Sequence, residues 1–141
     1  MPEIIYRYTS SAPLTADPAS DIRRLTADDH HIFAEHLALC GQRPVTEQVW
    51  REIFADGTVY CGLFADGKMT ARACIEKLTD DIWEIADVRV AQDYRNRGQA
   101  SRLCGFVLAD ILSAGRLPSI RTEEHNLAMQ KVIAKLGFTP Q

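Results

Sequence analysis

The stretch Val88-Arg89-Val90-Ala91-Gln92-Asp93-Tyr94-Arg95-Asn96-Arg97-Gly98-Gln99-Ala100 decides how this chain is read. It begins as the β-branched end of a strand, crosses a polar loop, and reaches small residues that open a helix. The first turn of a helix has backbone N–H groups with no intrahelical acceptor, and its aligned peptide dipoles give it a partial positive charge. Gly98 and Ala100 let an anion approach that backbone closely. Arg95 and Arg97 add full charges, and a guanidinium can grip a phosphate through two parallel bonds. GxxxxGK[ST] and GxGxxG are both absent, so this is neither a nucleotide P-loop nor a dinucleotide turn. On these residues alone, a pyrophosphate cradle and an ordinary strand-to-helix turn with solvated arginines both stand.

Working outward, Leu103, Cys104, Val107, Leu108, Ile111 and Leu112 recur at helical spacing over 100–112. Pro118 to Thr122 reads as a short strand. Leu127, Met129, Val132, Ile133 and Leu136 line a second helix that Gly137 stops. Upstream, Ile82 to Val90 is the third strand of a meander. Its first two strands, Thr58 to Ala65 and Lys68 to Leu78, flank the hairpin signal Asp66-Gly67. Before them come a short strand (Ile22 to Leu25) and Thr26 with Asp29, an incomplete capping box. Two helices follow, one carrying Ile32, Phe33, Leu37 and Leu39, the other Val49, Trp50, Ile53 and Phe54. The order β-α-α-β-β-β-α-β-α predicts an α/β fold, a mixed sheet with helices on its faces. Glu3 to Thr9 is an additional strand, and Ser10 to Ser20, with two prolines, is a linker. The chain therefore divides into residues 1–20 (extra strand and linker) and 21–141 (the folded domain).

Composition bounds the function. The chain has 141 residues and a formal net charge of −3, with 46% hydrophobic and 25% charged residues. That fits one globular domain with an adequate core. Weak acidity argues against nucleic acid as a partner, since phosphate binding needs a basic face. No apolar run reaches the ~18–20 residues of a membrane span, and no basic-then-apolar leader opens the chain. Cys40, Cys61, Cys74 and Cys104 are widely spaced with no CxxC pair, which predicts reduced thiols in a cytoplasmic protein and no metal site. His30, His31 and His36 read as solvated helix residues, and Trp50, Phe33 and Phe54 as core.

Arg95-x-x-Gly98-x-Ala100 after Val88-Arg89-Val90 resembles the acetyl-CoA-binding motif of the GNAT superfamily of N-acetyltransferases. Asn126, the apolar helix, and Lys135-Leu136-Gly137-Phe138 are similar to that family's second motif. The resemblance runs from about Asp21 to Phe138. It implies a GNAT fold: a central sheet of six to seven strands flanked by four helices in three layers. It implies that the strand ending at Val88, Arg89 and Val90 splays from its parallel neighbour at Pro118 to Thr122. The pantetheine arm of acetyl-CoA, the co-substrate, would lie in that gap. The amides of Arg95, Asn96, Arg97, Gly98, Gln99, Ala100 and Ser101 would hold the pyrophosphate, and the Asn126 side chain would meet the pantetheine or thioester.

Amine acetylation needs a neutral amine, so a carboxylate must accept the ammonium proton. An N–H donor, at Arg89 or Val90, must meet the developing oxyanion. Glu84 is the leading base. Alternation places it on one face with Ala86, Val88 and Val90, and Glu84-Ile85-Ala86 resembles the glutamate-bearing stretch of the histone-type branch. The plainer alternatives for Glu84 are a substrate anchor or a structural partner of Arg72 or Arg89. Asp87 and Glu76 are weaker candidates. Five acids between Glu76 and Asp87 against one lysine favour a cationic amine, either a small molecule or a peptide. One departure stands out: seven residues after Asn126, where many members carry a general-acid tyrosine, this chain has Ile133. His125 and Tyr94 are the substitutes nearest in sequence. An acetyltransferase and a CoA-binding regulatory or interaction domain without turnover are therefore both open. The family's usual last strand is also missing, because Thr139-Pro140-Gln141 is short for one. Glu3 to Thr9 is expected to fill the vacancy beside Pro118 to Thr122, within the chain or by exchange in a homodimer.

Overall fold

The computed structural model describes residues 2–10 and 21–141. Most of the linker assigned to Ser10–Ser20 lies outside the described residues. The elements, in chain order, are β1 (Glu3–Tyr8), β2 (Ile22–Arg24), α1 (His30–Leu39), α2 (Glu47–Ala55), β3 (Val59–Ala65), β4 (Lys68–Lys77), β5 (Ile82–Val90), α3 (Gln99–Ser113), β6 (Leu117–Glu123), α4 (Leu127–Lys135) and β7 (Phe138–Pro140). Local chemistry explains the boundaries. Asp66 and Gly67 both take left-handed backbone (φ 53° and 76°), the geometry that joins β3 and β4 without fighting their twist. The capping box is complete: Asp29 Oδ2 accepts the Thr26 N–H at 2.6 Å and Thr26 Oγ1 accepts the Asp28 N–H at 3.2 Å. Thr46 Oγ1 caps α2 through the Val49 N–H, and Asn126 Oδ1 caps α4 through the Met129 N–H.

The seven strands form one mixed sheet in the order β2-β3-β4-β5-β6-β1-β7. Among the described residues only β5 and β6 run parallel. β1 lies beside β6, pairing Ile4 with Thr122 and Tyr6 with Ile120, so the extra strand does occupy the expected place, here in its own chain. One expectation is corrected: the C-terminus does supply a strand. Phe138–Pro140 is only three residues long, but β1 offers a free edge, and Tyr6–Tyr8 pair with it. Gly137 makes that junction. It takes φ 99°, its carbonyl accepts the Thr9 and Ser10 N–H groups at 2.9 and 3.2 Å, and a Cβ there would lie 2.5 Å from the Ser10 Cβ.

Each sheet face carries its own core. Leu103, Cys104, Val107, Leu108 and Ile111 of α3 and Ile133 of α4 pack on Tyr6, Ala71, Ala73, Ile75, Ile85 and Ile120. On the other face, Phe33, Leu37 and Trp50 of α1 and α2 pack on Tyr60, Met69 and Cys74, with Phe33 and Trp50 ring centroids 4.4 Å apart. The three-layer expectation holds. Among the described residues no helix is long and apolar enough to cross a membrane.

Candidate active-site groove

The groove follows from how β5 ends. β5 and β6 pair only from Ile82↔Leu117 to Ile85↔Ile120; beyond that the two strands part. On its other side, the ladder between β4 and β5 shifts register between Arg72 and Cys74, and Asp87 takes φ 50°. A β-bulge places two residues opposite one and bends its strand. The bulge and the end of the β5–β6 pairing fall within the same few residues.

A cavity of about 620 Å³ opens between the separated strands, lined by Ala86–Arg89, Ile120–Glu123 and the start of α4. A second, of about 520 Å³, continues it along Val88–Val90 to Arg95, Asn96 and the first turn of α3. Val88, Arg89, Asn126, Ala128 and Met129 line both, so the two form one groove. At its far end Gly98 is the N-cap of α3 with φ 76°, a conformation that favours glycine. The first return bond of the helix runs from the Arg102 N–H to the Gly98 carbonyl. The N–H groups of Gln99, Ala100 and Ser101 therefore precede the ladder, as an anion cradle requires. Arg95 Nε donates to the Val90 carbonyl at 3.1 Å, and Arg97 stacks on the Tyr94 ring at 5.1 Å. The Gln99 side chain points inward, accepting from Thr70 Oγ1 at 2.8 Å, and anchors α3 to β4.

Two carboxylate–arginine pairs stand on β5 near the throat of the groove. Glu84 is buried. Arg121 Nε donates to both of its oxygens at 3.0 Å, and Ser119 Oγ donates to Oε1 at 3.2 Å. Its side chain is 5% exposed against 37% for Arg121. Asp87 shows the reverse. Its side chain is 30% exposed and lines the groove, while its partner Arg72 is 2% exposed. Arg72 donates to both Asp87 oxygens (3.0 and 3.2 Å), to Gln42 Oε1 (2.7 Å) and toward His36 Nδ1 (3.1 Å). Tyr60 Oη adds a 2.7 Å bond to Asp87 Oδ2. His36 is fully buried, and burial together with the Arg72 charge pulls its pKa down to about 4. Its Nδ1 thus accepts, and Nε2 faces Cys40 Sγ at 3.7 Å.

Several sequence expectations change here. Glu84 does not share a face with Val88 and Val90: the bulge at Asp87 breaks the alternation, so Ala86 packs with the α1/α2 core and Val88 and Val90 with the α3/α4 core. Glu84 lines neither cavity, and its partner is Arg121 instead of Arg72 or Arg89. His36 is buried rather than solvated, and the His30 ring is 2.6 Å from the Val45 carbonyl. Ile133 is fully buried in the core. His125 lines the groove paired with Glu123 at 3.1 Å, and the Tyr94 hydroxyl donates to Asp66 at 2.6 Å. Arg121, Tyr60 and the anchoring role of Arg72 were missed. A single charged residue within the buried stretch 69–75 of β4 was the available signal for Arg72.

The comparisons with known proteins agree with this geometry. The acetyltransferase (GNAT) family matches over residues 21–138. A GNAT-family acetyltransferase structure from Novosphingobium aromaticivorans superposes with a TM-score of 0.78 at 22% identity, covering 99% of this chain and 59% of that one. One from Colwellia psychrerythraea gives 0.75 at 22% identity, covering 98% and 52%. The chain thus spans between half and three-fifths of the length of these two. AAC(6')-Iy, solved with a bisubstrate analog, CoA-S-monomethyl-acetylneamine, gives 0.70 at 20% identity, covering 84% and 90%. Compared with curated proteins, the chain has no match. With the splayed β5–β6 pair, the glycine-opened α3 and a match over residues 21–138, the chain belongs to the acetyltransferase (GNAT) family.

Proposed function

We propose that this chain is an acetyl-CoA-dependent N-acetyltransferase that moves an acetyl group directly to a primary amine. The observation that carries this reading is the continuity of the groove. It runs from the unladdered N–H groups of α3 to the parted strands, where a carboxylate waits. Acetyl-CoA would bring an activated thioester, and the relative solved with a CoA bisubstrate analog supports that choice of donor. In this reading the amides of Gln99, Ala100 and Ser101, with Arg95 and Arg97 beside them, hold the pyrophosphate. Val88–Val90 offer backbone to the pantetheine arm, and the N–H of Arg89 or Val90 meets the developing oxyanion.

Asp87 is the carboxylate placed to accept the ammonium proton. It lines the groove, and Arg72 and Tyr60 fix its orientation from behind. Glu84, whose oxygens are taken by Arg121 and Ser119, acts from outside the groove. Ile133 of α4, apolar and buried, cannot protonate the departing thiolate. A thiol of pKa about 8.5 leaves without a general acid.

The test is release of free CoA thiol from acetyl-CoA over a panel of primary amines, alongside calorimetric titration with CoA. Turnover on at least one amine, with a loss of 10²-fold or more in Asp87→Asn, is expected. Tight CoA binding with no turnover on any amine would overturn the reading in favour of a CoA-binding regulatory domain.

A further inference from the structure

We propose that the acceptor carries an anionic group beside its amine, and that Arg121 binds it. This deepens the acetyltransferase reading and rests on it. The two pairs on β5 are assembled with opposite polarity toward one cavity. Behind Asp87 a buried guanidinium holds a carboxylate out into the groove. Behind Arg121 a buried carboxylate holds a guanidinium out into the same groove. Ala86 and Arg121 are the first positions past the last paired residues, Ile85 and Ile120, so Asp87 and Arg121 stand on opposite banks where the strands begin to part.

Arg121 is suited to this work. Glu84 engages only its Nε, and both Nη groups make no hydrogen bond among the described residues. A guanidinium held at one edge presents the remaining donors in a fixed fork that matches a carboxylate or phosphate. Arg89 is a second cation at this cavity, but it also lines the cavity leading to α3 and lies 3.9 Å from Asp87. Arg121 lines only the throat. One strand further out, alternation puts Arg7 of β1 on the face of Ser119 and Arg121, and its Nη1 is buried without a partner.

An acceptor with an ammonium at Asp87 and a carboxylate at Arg121 satisfies both groups. A monoamine lacking the anion leaves the Arg121 fork unfilled. The discrimination comes from the charge-assisted bonds that an anion gains on a preorganised guanidinium and a monoamine cannot make. Glu84 is then a positioning residue that acts through Arg121.

The experiment compares kcat and KM for two matched pairs: leucine with isopentylamine, and 4-aminobutyrate with propylamine. The partners differ by one carboxylate. We expect the carboxylate-bearing member of the leucine and 4-aminobutyrate pairs to be favoured at least tenfold in kcat/KM, mainly through KM. Arg121→Gln should bring that ratio close to one, Arg121→Lys should restore part of it, and Glu84→Gln should lower it with wild-type acetyl-CoA KM. Turnover with no preference between partners, or a preference that survives Arg121→Gln, overturns this inference and leaves the acetyltransferase reading intact. CoA binding without turnover on any amine overturns both.

Discussion

Glu84 and Asp87 lie three residues apart on one strand, and each meets an arginine, yet the burial of the partners is inverted. At Glu84 the acid is inside and the base outside; at Asp87 the base is inside and the acid outside. An ion pair is therefore not a fixed unit of stability. Its buried member is desolvated and depends on the partner, while its exposed member can turn to water. The bulge at Asp87 makes the difference. Glu84 sits in the regular ladder opposite Ser119, whereas the inserted residue at Asp87 lets its carboxylate line the groove.

The largest perturbation of this comparison is removal of residues 1–9. β1 flanks β6, the strand that carries Ser119 and Arg121. It contributes buried Tyr6 and half-buried Ile4 and Tyr8. At roughly 1.5–3 kcal/mol for each well-buried large side chain, the loss should exceed about 4 kcal/mol and lower the urea midpoint sharply. An unchanged midpoint would show that β1 is not part of the working sheet.

Next in size, Arg121→Met strands the buried Glu84 carboxylate and should cost about 3 kcal/mol, whereas Glu84→Gln releases an arginine that water can solvate. A double variant should be closer to Glu84→Gln than to the sum of the singles. Equal losses from the two singles would break the claim of inverted dependence.

The Asp87 end has its own acid sensitivity through His36. The folded pKa is depressed to about 4 from the ordinary 6.5, so the unfolded chain takes up a proton first as pH falls. The stabilisation is complete above about 6.5 and drains as pH drops toward 4. The loss reaches roughly 2–3 kcal/mol near pH 4.5 for a shift of this size. Urea midpoints at pH 7 and pH 4.5 check it: the wild type should lose more over that interval than His36→Gln. Parallel losses would remove His36 from the account.

The smallest effect is Glu84→Gln itself, about 1 kcal/mol or less, because the amide keeps the shape and one acceptor for Arg121. A loss as large as that of Arg121→Met would mean the Glu84 charge matters beyond its partner.

Much of the fold was legible because its signals are local. Asp66-Gly67 set a hairpin through backbone conformation, Thr26 with Asp29 and Thr46 set helix starts through capping bonds, and Gly98 opened α3. The Arg95-x-x-Gly98 turn located one end of the groove for the same reason. The throat was not legible. Alternation along β5 carried Glu84 onto the face of Val88 and Val90, and one left-handed residue reversed it. Arg72 and His36 lie 36 residues apart and Glu84 and Arg121 lie 37 apart, so no periodicity links them.

By itself the sequence determined the element order, the glycine-opened start of α3 and the supply of a spare strand, since propensity, capping and turn chemistry act over a few residues. Only the tertiary structure decided where β1 sits, which carboxylate lines the groove and which arginine faces it. Those outcomes depend on register, and a single extra residue in a ladder changes which side chains share a face.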